Sequence, residues 1–177
     1  MRLPELLAPA GNMEKAVVAM EYGADAIYLA GKAFGMRAKA GNFSTQELRE
    51  VLSLARQRDV KVYVTVNTYP RNEEIDELPE YLQELEELKV DALIVADVGV
   101  ISLARQFAPS IPLHLSTQAN TVNYQAAKFW ESLGLTRLVA ARELSRDEIA
   151  RLRRETSLEL EVFVHGAMCV AYSGRCL

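Results

Sequence analysis

EVFVHGAMCVAYSGRC, residues 161–176, opens as apolar, β-branched chain and turns into a loop. Together with Glu159 and Leu160 before it, the sequence predicts a strand over 159–164. The loop that follows holds His165, Tyr172, Ser173, Arg175 and both cysteines of the chain, Cys169 and Cys176. Side chains able to do chemistry thus cluster just past a buried strand, where scaffold folds place their sites. The sequence stops one residue after the second cysteine, so this site is expected to be cut.

Outward from that strand, the same unit recurs along the chain. Strands are predicted at 4–11, 25–30, 61–66, 92–96, 113–116 and 137–141. Asn12 is a good N-cap for a helix to about residue 22, and Gly23 a natural stop. Ser44 with Glu47, and Ser145 with Glu148, form capping boxes that open two further helices. In the first of these, Leu48, Val51, Leu52 and Ala55 recur at helical spacing. An acidic amphipathic helix is expected over 75–88, another over 100–107, and one over 124–133 that stops at Gly134.

Seven short strands alternating with six helices predict a parallel sheet with right-handed crossovers, covered by helices. The choice lies between an open doubly wound sheet and a (β/α)8 TIM-type barrel. Gly31, Asn67, Asp97, Gln118 with Asn120, Arg142 with Glu143, and His165 all fall at or just after C-terminal strand ends. An open sheet feeds its ligand crevice from a few strands near the switch point. Six contributing strands is how a barrel builds its catalytic face, and no G-x-G-x-x-G follows the first strand. The expected fold is therefore an α/β barrel of parallel strands, incomplete with about seven present. A single barrel domain over 1–177 is expected, as the N-terminal fragment of a longer protein, because an unclosed parallel barrel exposes strand edges.

Composition narrows the function classes. A net charge of -4 and a pI near 5.3, with charges well mixed, are not the footprint of a broad basic nucleic-acid face. No apolar run is long enough to span a bilayer, since ALIVADVGVISLA is broken by Asp97. Pro4 and Glu5 stand where a signal peptide needs its apolar core. Two cysteines without such a signal point to the cytoplasm and to thiols or metal ligands.

Several polar residues have both a chemical and a structural reading. Cys169 and Cys176, with six residues between them, match no familiar zinc spacing, and two buried free thiols is the plain alternative. On a turn-rich loop beside Arg175 they suit a soft metal or an iron–sulfur cluster. His165 is a ligand, a general acid or base, or a loop histidine. His114, between Leu113 and Leu115, reads as a hydrogen-bonded core histidine. Arg142 and Glu143 are catalytic candidates or a structural ion pair. Arg37, Asn42, Asn67, Asp97, Gln118, Asn120, Tyr172 and Arg175 are the candidate substrate-binding groups, with helix capping the alternative for Gln118 and Asn120. The acidic run 73–87 reads as a solvated helix face. No Ser–His–Asp order, H-E-x-x-H or P-loop lysine is found.

PELLAPAGN, YGADAIYLAG, HLSTQANTVNYQAAKFW, ARELS and the closing segment together resemble the peptidase U32 family. That family's signature, E-x-F-x-x-G-[SA]-[LIVM]-C-x4-G-x-C, matches Glu161, Phe163, Gly166, Ala167, Met168, Cys169, Gly174 and Cys176. YSGRC and STQAN are most similar to the tRNA-uridine hydroxylase branch. The resemblance implies iron–sulfur-dependent, oxygen-independent hydroxylation of RNA, at a tRNA wobble uridine, with prephenate as co-substrate. It implies a [4Fe-4S] cluster with Cys169 and Cys176 as its first two ligands, the other two being absent from this chain. Other members carry rRNA or ubiquinone-precursor hydroxylation, or a collagenase or peptidase label. A peptidase needs an activated nucleophile or a metal-bound water, and only His165 near Cys169 hints at one. A non-catalytic ligand- or partner-binding barrel is the third reading. Lys32, Arg37 and Lys39 are the expected phosphate contacts for RNA. Oligomeric state stays open, since an incomplete barrel can pair with a second copy.

Overall fold

The structure, a computed structural model, describes residues 3–31, 42–166 and 171–173. Seven strands alternate with helices: β1 (Leu7–Pro9), α1 (Met13–Glu21), β2 (Ala26–Ala30), α2 (Thr45–Gln57), β3 (Lys61–Val66), α3 (Asn72–Ile75), α4 (Leu78–Leu88), β4 (Ala92–Val95), α5 (Val98–Phe107), β5 (Leu113–Leu115), α6 (Tyr124–Ser132), β6 (Arg137–Val139), α7 (Arg146–Glu155) and β7 (Glu159–Glu161). A single turn of 3₁₀ helix, Thr117–Ala119, follows β5. Each strand pairs in parallel with the next, and the sheet order is the chain order. A doubly wound sheet reverses its order at a switch point; this one never does. The strands are those of a (β/α)8-type barrel, seven of them forming a half-barrel inside a layer of helices.

Strand alternation sorts the side chains into two environments. The outward set, including Ile27, Leu29, Val62, Val64, Leu93, Leu115 and Leu138, packs with Leu48, Val51, Leu52, Leu82, Leu85 and Ala104 of the helices in one continuous core. The inward set is smaller and more polar: Ala26, Tyr63, Ala92 and Ile94 form their own cluster with Leu7 and Tyr28. The apolar layer between strands and helices is what holds the sheet. Burying each such Leu, Ile or Val there contributes about 1.5–3 kcal/mol.

Local signals place the helix ends. Asn12 accepts from the Lys15 amide at 2.9 Å and starts α1. Both predicted capping boxes form, at Ser44 with Glu47 and at Ser145 with Glu148. Gly23 and Gly134 stop α1 and α6 in the left-handed region, with φ of 88° and 79°. At the N-terminal pole, carboxylates stitch neighbouring strands together. Asp25 accepts from the Leu6 amide at 2.7 Å, and Asp91 from the Val62 amide at 2.8 Å.

The strands predicted over 4–11 and 137–141 are shorter, Leu7–Pro9 and Arg137–Val139, and three further expectations need correction. The helix predicted over 75–88 is two: α3 ends at Ile75, and α4 begins afresh with Pro79 in its first turn, where a missing amide costs nothing. The helix predicted from residue 100 begins at Val98, because Asp97 caps it. The seventh strand, predicted over 159–164, ends at Glu161. Its neighbour β6 ends at Val139, opposite Glu161, so 162–164 have no strand beside them among the described residues, and Val164 is 89 % exposed.

Gly31, just past β2, bridges to Phe43, and a Cβ there would lie 2.2 Å from the Tyr81 hydroxyl and 3.1 Å from its ring. Tyr81 is anchored in the buried wall of α4, so the clash has little room to relax. Gly31→Ala is expected to cost about 1–3 kcal/mol in urea unfolding, as overpacked core sites do. Adding Tyr81→Phe should recover part of that loss. An unchanged urea midpoint in the single variant would show that this close approach does not constrain the fold.

Candidate functional site

Two polar assemblies occupy opposite poles of the half-barrel. At the N-terminal pole, Glu5, Lys61, Arg137 and Glu159 meet at the mouth of the sheet, Lys61 and Glu159 on its exposed side. The Arg137 guanidinium, only 10 % exposed, donates to Glu5 at 2.7 Å and to Glu159 at 2.7 and 3.0 Å. Glu5 also accepts from Lys61 Nζ and from the Tyr63 hydroxyl, both at 2.8 Å. Burial works to raise the Glu5 pKa, but hydrogen bonds from Arg137, Lys61 and Tyr63 outweigh it and bring it down to about 2. His114 stands edge-on to Tyr63, ring centroids 4.8 Å apart. Burial, reinforced by the Arg137 charge, pushes its pKa down to about 3 and keeps the ring neutral.

His114 is thus a core histidine as expected, but its Nδ1 finds no hydrogen-bond partner among the described residues. None of Glu5, Lys61, Tyr63 or Arg137 was singled out from the sequence. The signal was present: in KVYVTV, LHL, RLV and ELE the polar residues sit on alternate, inward positions of otherwise apolar strands.

At the C-terminal pole the strand ends converge as expected. Asn67, just past β3, donates from Nδ2 to Ser116 Oγ at 3.3 Å across the end of β4. Ser116 Oγ also receives the Gln118 amide at 3.3 Å, opening the 3₁₀ turn. The Tyr69 hydroxyl donates to the Gln118 carbonyl at 2.6 Å and ties the two loops together. Asn120 closes the turn in the left-handed region, φ 49°. Its Oδ1, the Thr117 and Thr68 hydroxyls and Asn42 Nδ2 are buried without hydrogen-bond partners among the described residues. Buried polar groups are rarely left so, and these are the groups a bound polar ligand can satisfy.

Across the pole, the end of β6 meets residues 171–173. Glu143 accepts from the Ser173 amide at 2.8 Å, and the Arg142 amide donates to Ser173 Oγ at 3.4 Å. The Arg142 guanidinium lies 3.9 Å over the Phe163 ring. Desolvation opposes it, yet the hydrogen bonds from Ser173 lower the Glu143 pKa and keep it ionised.

The predicted residues therefore divide. Asn42, Asn67, Gln118, Asn120, Arg142 and Glu143 share this pole, Asn42 and Asn120 with buried polar atoms that have no partner among the described residues. Arg142 and Glu143 engage Phe163 and Ser173 respectively, through contacts that spacing along the chain does not reveal. Asp97 has a structural task, its Oδ1 accepting from the Gly99 and Val100 amides at 2.8 and 3.1 Å as the N-cap of α5. His165 and Tyr172 are exposed. Arg37, Cys169, Arg175 and Cys176, with Lys32 and Lys39, lie outside the described residues. Among the described residues, no three His, Cys, Asp or Glu side chains gather in a metal-binding group. No helix there is long and apolar enough to cross a membrane.

Between the poles sits Glu161, the last residue of β7. Its neighbour Leu160 packs outward, so Glu161 faces the interior with Arg137 and Glu159. Its Oε2 lies 3.9 Å from the Arg137 guanidinium, is shielded from solvent and has no hydrogen bond among the described residues. Burial pushes its pKa up to about 7, against the pull of Arg137 and with the repulsion of Glu5.

These shifts give stability a defined pH dependence. Glu161 holds its proton in the folded chain to about pH 7, against 4.5 when unfolded, so its contribution is full below 4.5 and is lost as pH rises to 7. His114 stays neutral when folded down to about pH 3, against 6.5 when unfolded, so its contribution is full above 6.5 and is lost as pH falls. Between 4.5 and 6.5 the two slopes oppose, each reaching at most about 1.4 kcal/mol per pH unit. Urea unfolding of Glu161→Gln should therefore show stability rising with pH across that window, where the parent chain is nearly flat. Parallel profiles for the two proteins would exclude the raised Glu161 value.

Comparison with known proteins fits this architecture. A solved U32 peptidase superposes with a TM-score of 0.77 at 18% identity, covering 92% of this chain and 69% of that one, a likeness of fold. The tRNA hydroxylation protein P1 of Bacillus subtilis (strain 168) is 46% identical over 174 residues, which are 98% of this chain and 41% of that protein. The 23S rRNA 5-hydroxycytidine C2501 synthase of Escherichia coli (strain K12) is 40% identical over 172 residues, 97% of this chain and 26% of that enzyme. This chain thus spans well under half the length of either relative. The sequence profile described as peptidase family U32 matches residues 11–177. With that match reaching from the first strand end to the cysteine loop, the chain belongs to peptidase family U32.

Proposed function

We propose that the full-length protein hydroxylates RNA, at a tRNA wobble uridine, using the C-terminal pole of the barrel to hold the base. The observation that carries this reading is likeness across almost the whole chain, at 40–46% identity, to proteins named for hydroxylation of tRNA and rRNA. The site's chemistry supports it. Its buried, unpartnered amide and hydroxyl groups suit a neutral heterocycle, which offers donors and acceptors around one ring. A base presented to them must leave its stack, as bases do in enzymes that act on them. Arg142, Glu143 and Asn67 line the rim as candidate substrate contacts, with Gln118 and Asn120 on the facing turn.

In this proposal Cys169 and Cys176 supply two thiolates to an iron–sulfur cluster, and prephenate is the small co-substrate. When bound, such a cluster supplies redox chemistry that amino-acid side chains lack. Phosphate contacts fall to Lys32, Arg37 and Lys39, because the chain's net charge of -4 gives no broad basic face. The cytoplasm, where tRNA is found, is the compartment this reading requires.

The test is nucleoside mass spectrometry of tRNA and rRNA from cells lacking the gene, complemented with full-length variants. Loss of 5-hydroxyuridine on deletion, restored by the parent protein and not by Cys169→Ala or Cys176→Ala, is expected. Each cysteine variant, purified without oxygen and folded by circular dichroism, should also hold far less iron than the parent. Unchanged 5-hydroxyuridine on deletion would overturn the tRNA assignment. A change in 5-hydroxycytidine alone would move the substrate to rRNA. Protein hydrolysis abolished by the same cysteine variants, with RNA unaffected, would return the peptidase reading.

A further inference from the structure

The enclosed side of the half-barrel and its N-terminal mouth together hold more acid than base. Glu5, Glu159 and Glu161 face Arg137 and Lys61, while the neutral His114 and the Tyr63 hydroxyl complete the surroundings. The hydrogen-bond geometry decides which carboxyl is surplus. Arg137 spends Nε and one terminal nitrogen on Glu159 and the other terminal nitrogen on Glu5. Lys61 is also spent on Glu5. Glu161 is left 3.9 Å from the guanidinium, beyond hydrogen-bond range, with an unpartnered oxygen. It stands above the Arg137 assembly, at the end of β7 that faces the C-terminal pole, with 17 % of its side chain still open.

We propose that Glu161 is a base-recognising residue of the candidate site, its carboxyl, left outside the hydrogen bonds of Arg137, pairing with the edge of a uracil ring where an N–H adjoins a carbonyl. The inference rests on the RNA reading of the site and specifies how the base is held. A protonated carboxyl carries an O–H donor beside a C=O acceptor. That pair is complementary to the uracil edge, which offers an acceptor oxygen beside a ring N–H. Carboxylic acids kept neutral by their surroundings act as donors elsewhere in enzymes. Cytosine offers its amino N–H beside the N3 acceptor, which the same carboxyl also meets, so this contact reads a pyrimidine edge and leaves the choice between uracil and cytosine to other groups. Raising the pH removes the donor and places a charge against a carbonyl, so recognition weakens as Glu161 ionises. Arg137 and Glu5 set that ionisation from either side, while His114 lies buried in the same interior and Lys61 and Glu159 stand more than half exposed at its N-terminal mouth.

Glutamine is the decisive substitution, because its amide offers the same donor and acceptor side by side and does not titrate. The experiment is equilibrium dialysis of the full-length protein and its Glu161→Gln and Glu161→Ala variants against uridine and cytidine. Measurements at about pH 6 and about pH 8.5 bracket the titration. The parent is expected to bind uridine about tenfold more weakly at the higher pH, Glu161→Gln equally at both, and Glu161→Ala about tenfold more weakly at both. Folding of each variant is checked by circular dichroism, with Glu161→Gln the informative protein where Glu161→Ala unfolds. Undiminished pH dependence in Glu161→Gln, parent-like affinity in a folded Glu161→Ala, or absence of uridine binding by the parent would overturn the inference. Uridine binding of the expected pattern in a protein that hydroxylates no RNA would remove the proposed reaction and leave this inference standing. Hydroxylation with binding indifferent to Glu161 would do the reverse.

Discussion

The Arg137 guanidinium is the interaction on which the shape of this half-barrel turns. It joins Glu5, ahead of the first strand, to Glu159 at the start of the last, across 132 residues of chain from Glu5 to Arg137. Sequential parallel pairing alone allows a sheet to curl by different amounts. An ion pair reaching across the concave side requires β1 and β6 to approach, and so fixes the curvature. Removing one partner of such a shielded pair leaves an uncompensated charge, which costs several kcal/mol. The pair is thus better understood as a geometric clamp than as a source of net stability.

That clamp also divides the interior into a structural half and a chemical half. Below it, every strong cation is committed. Glu161 stands one same-face step above, 3.9 Å from Arg137 but outside its hydrogen bonds, with its Oε2 closed to solvent. Burial raises its pKa despite the neighbouring guanidinium, whose hydrogen bonds go to Glu5 and Glu159. The C-terminal pole repeats the logic in uncharged form: Asn67, Ser116 and Gln118 satisfy one another, while Thr68, Thr117 and Asn120 keep polar atoms without partners. A fold stabilised from its outer apolar layer can tolerate these costs inside.

The family name and the chemistry of the relatives point in different directions, and the described residues bear on the choice. Glu143 is held ionised by Ser173, and Arg142 lies against Phe163, so both are built into the junction of β6 with the closing segment. Such a junction orients a rim. A site made of orphaned amides and hydroxyls is suited to holding a flat polar ring.

The sequence by itself determined the fold class, because alternation of strands and helices, two capping boxes and polar residues at successive strand ends are all local signals. It determined the family as well, through a long motif whose cysteines are identifiable without coordinates. It showed Asn67, Gln118 and Asn120 as strand-end groups, but assigned Asp97 to the same class when its carboxylate caps α5. Tertiary structure alone decided which polar residues meet. Arg137 and Glu5 are remote in the chain, and no spacing rule relates them. Likewise Glu161 reads in sequence as one letter of a motif. Its pKa is raised because burial outweighs the pull of an arginine whose hydrogen bonds go to Glu5 and Glu159.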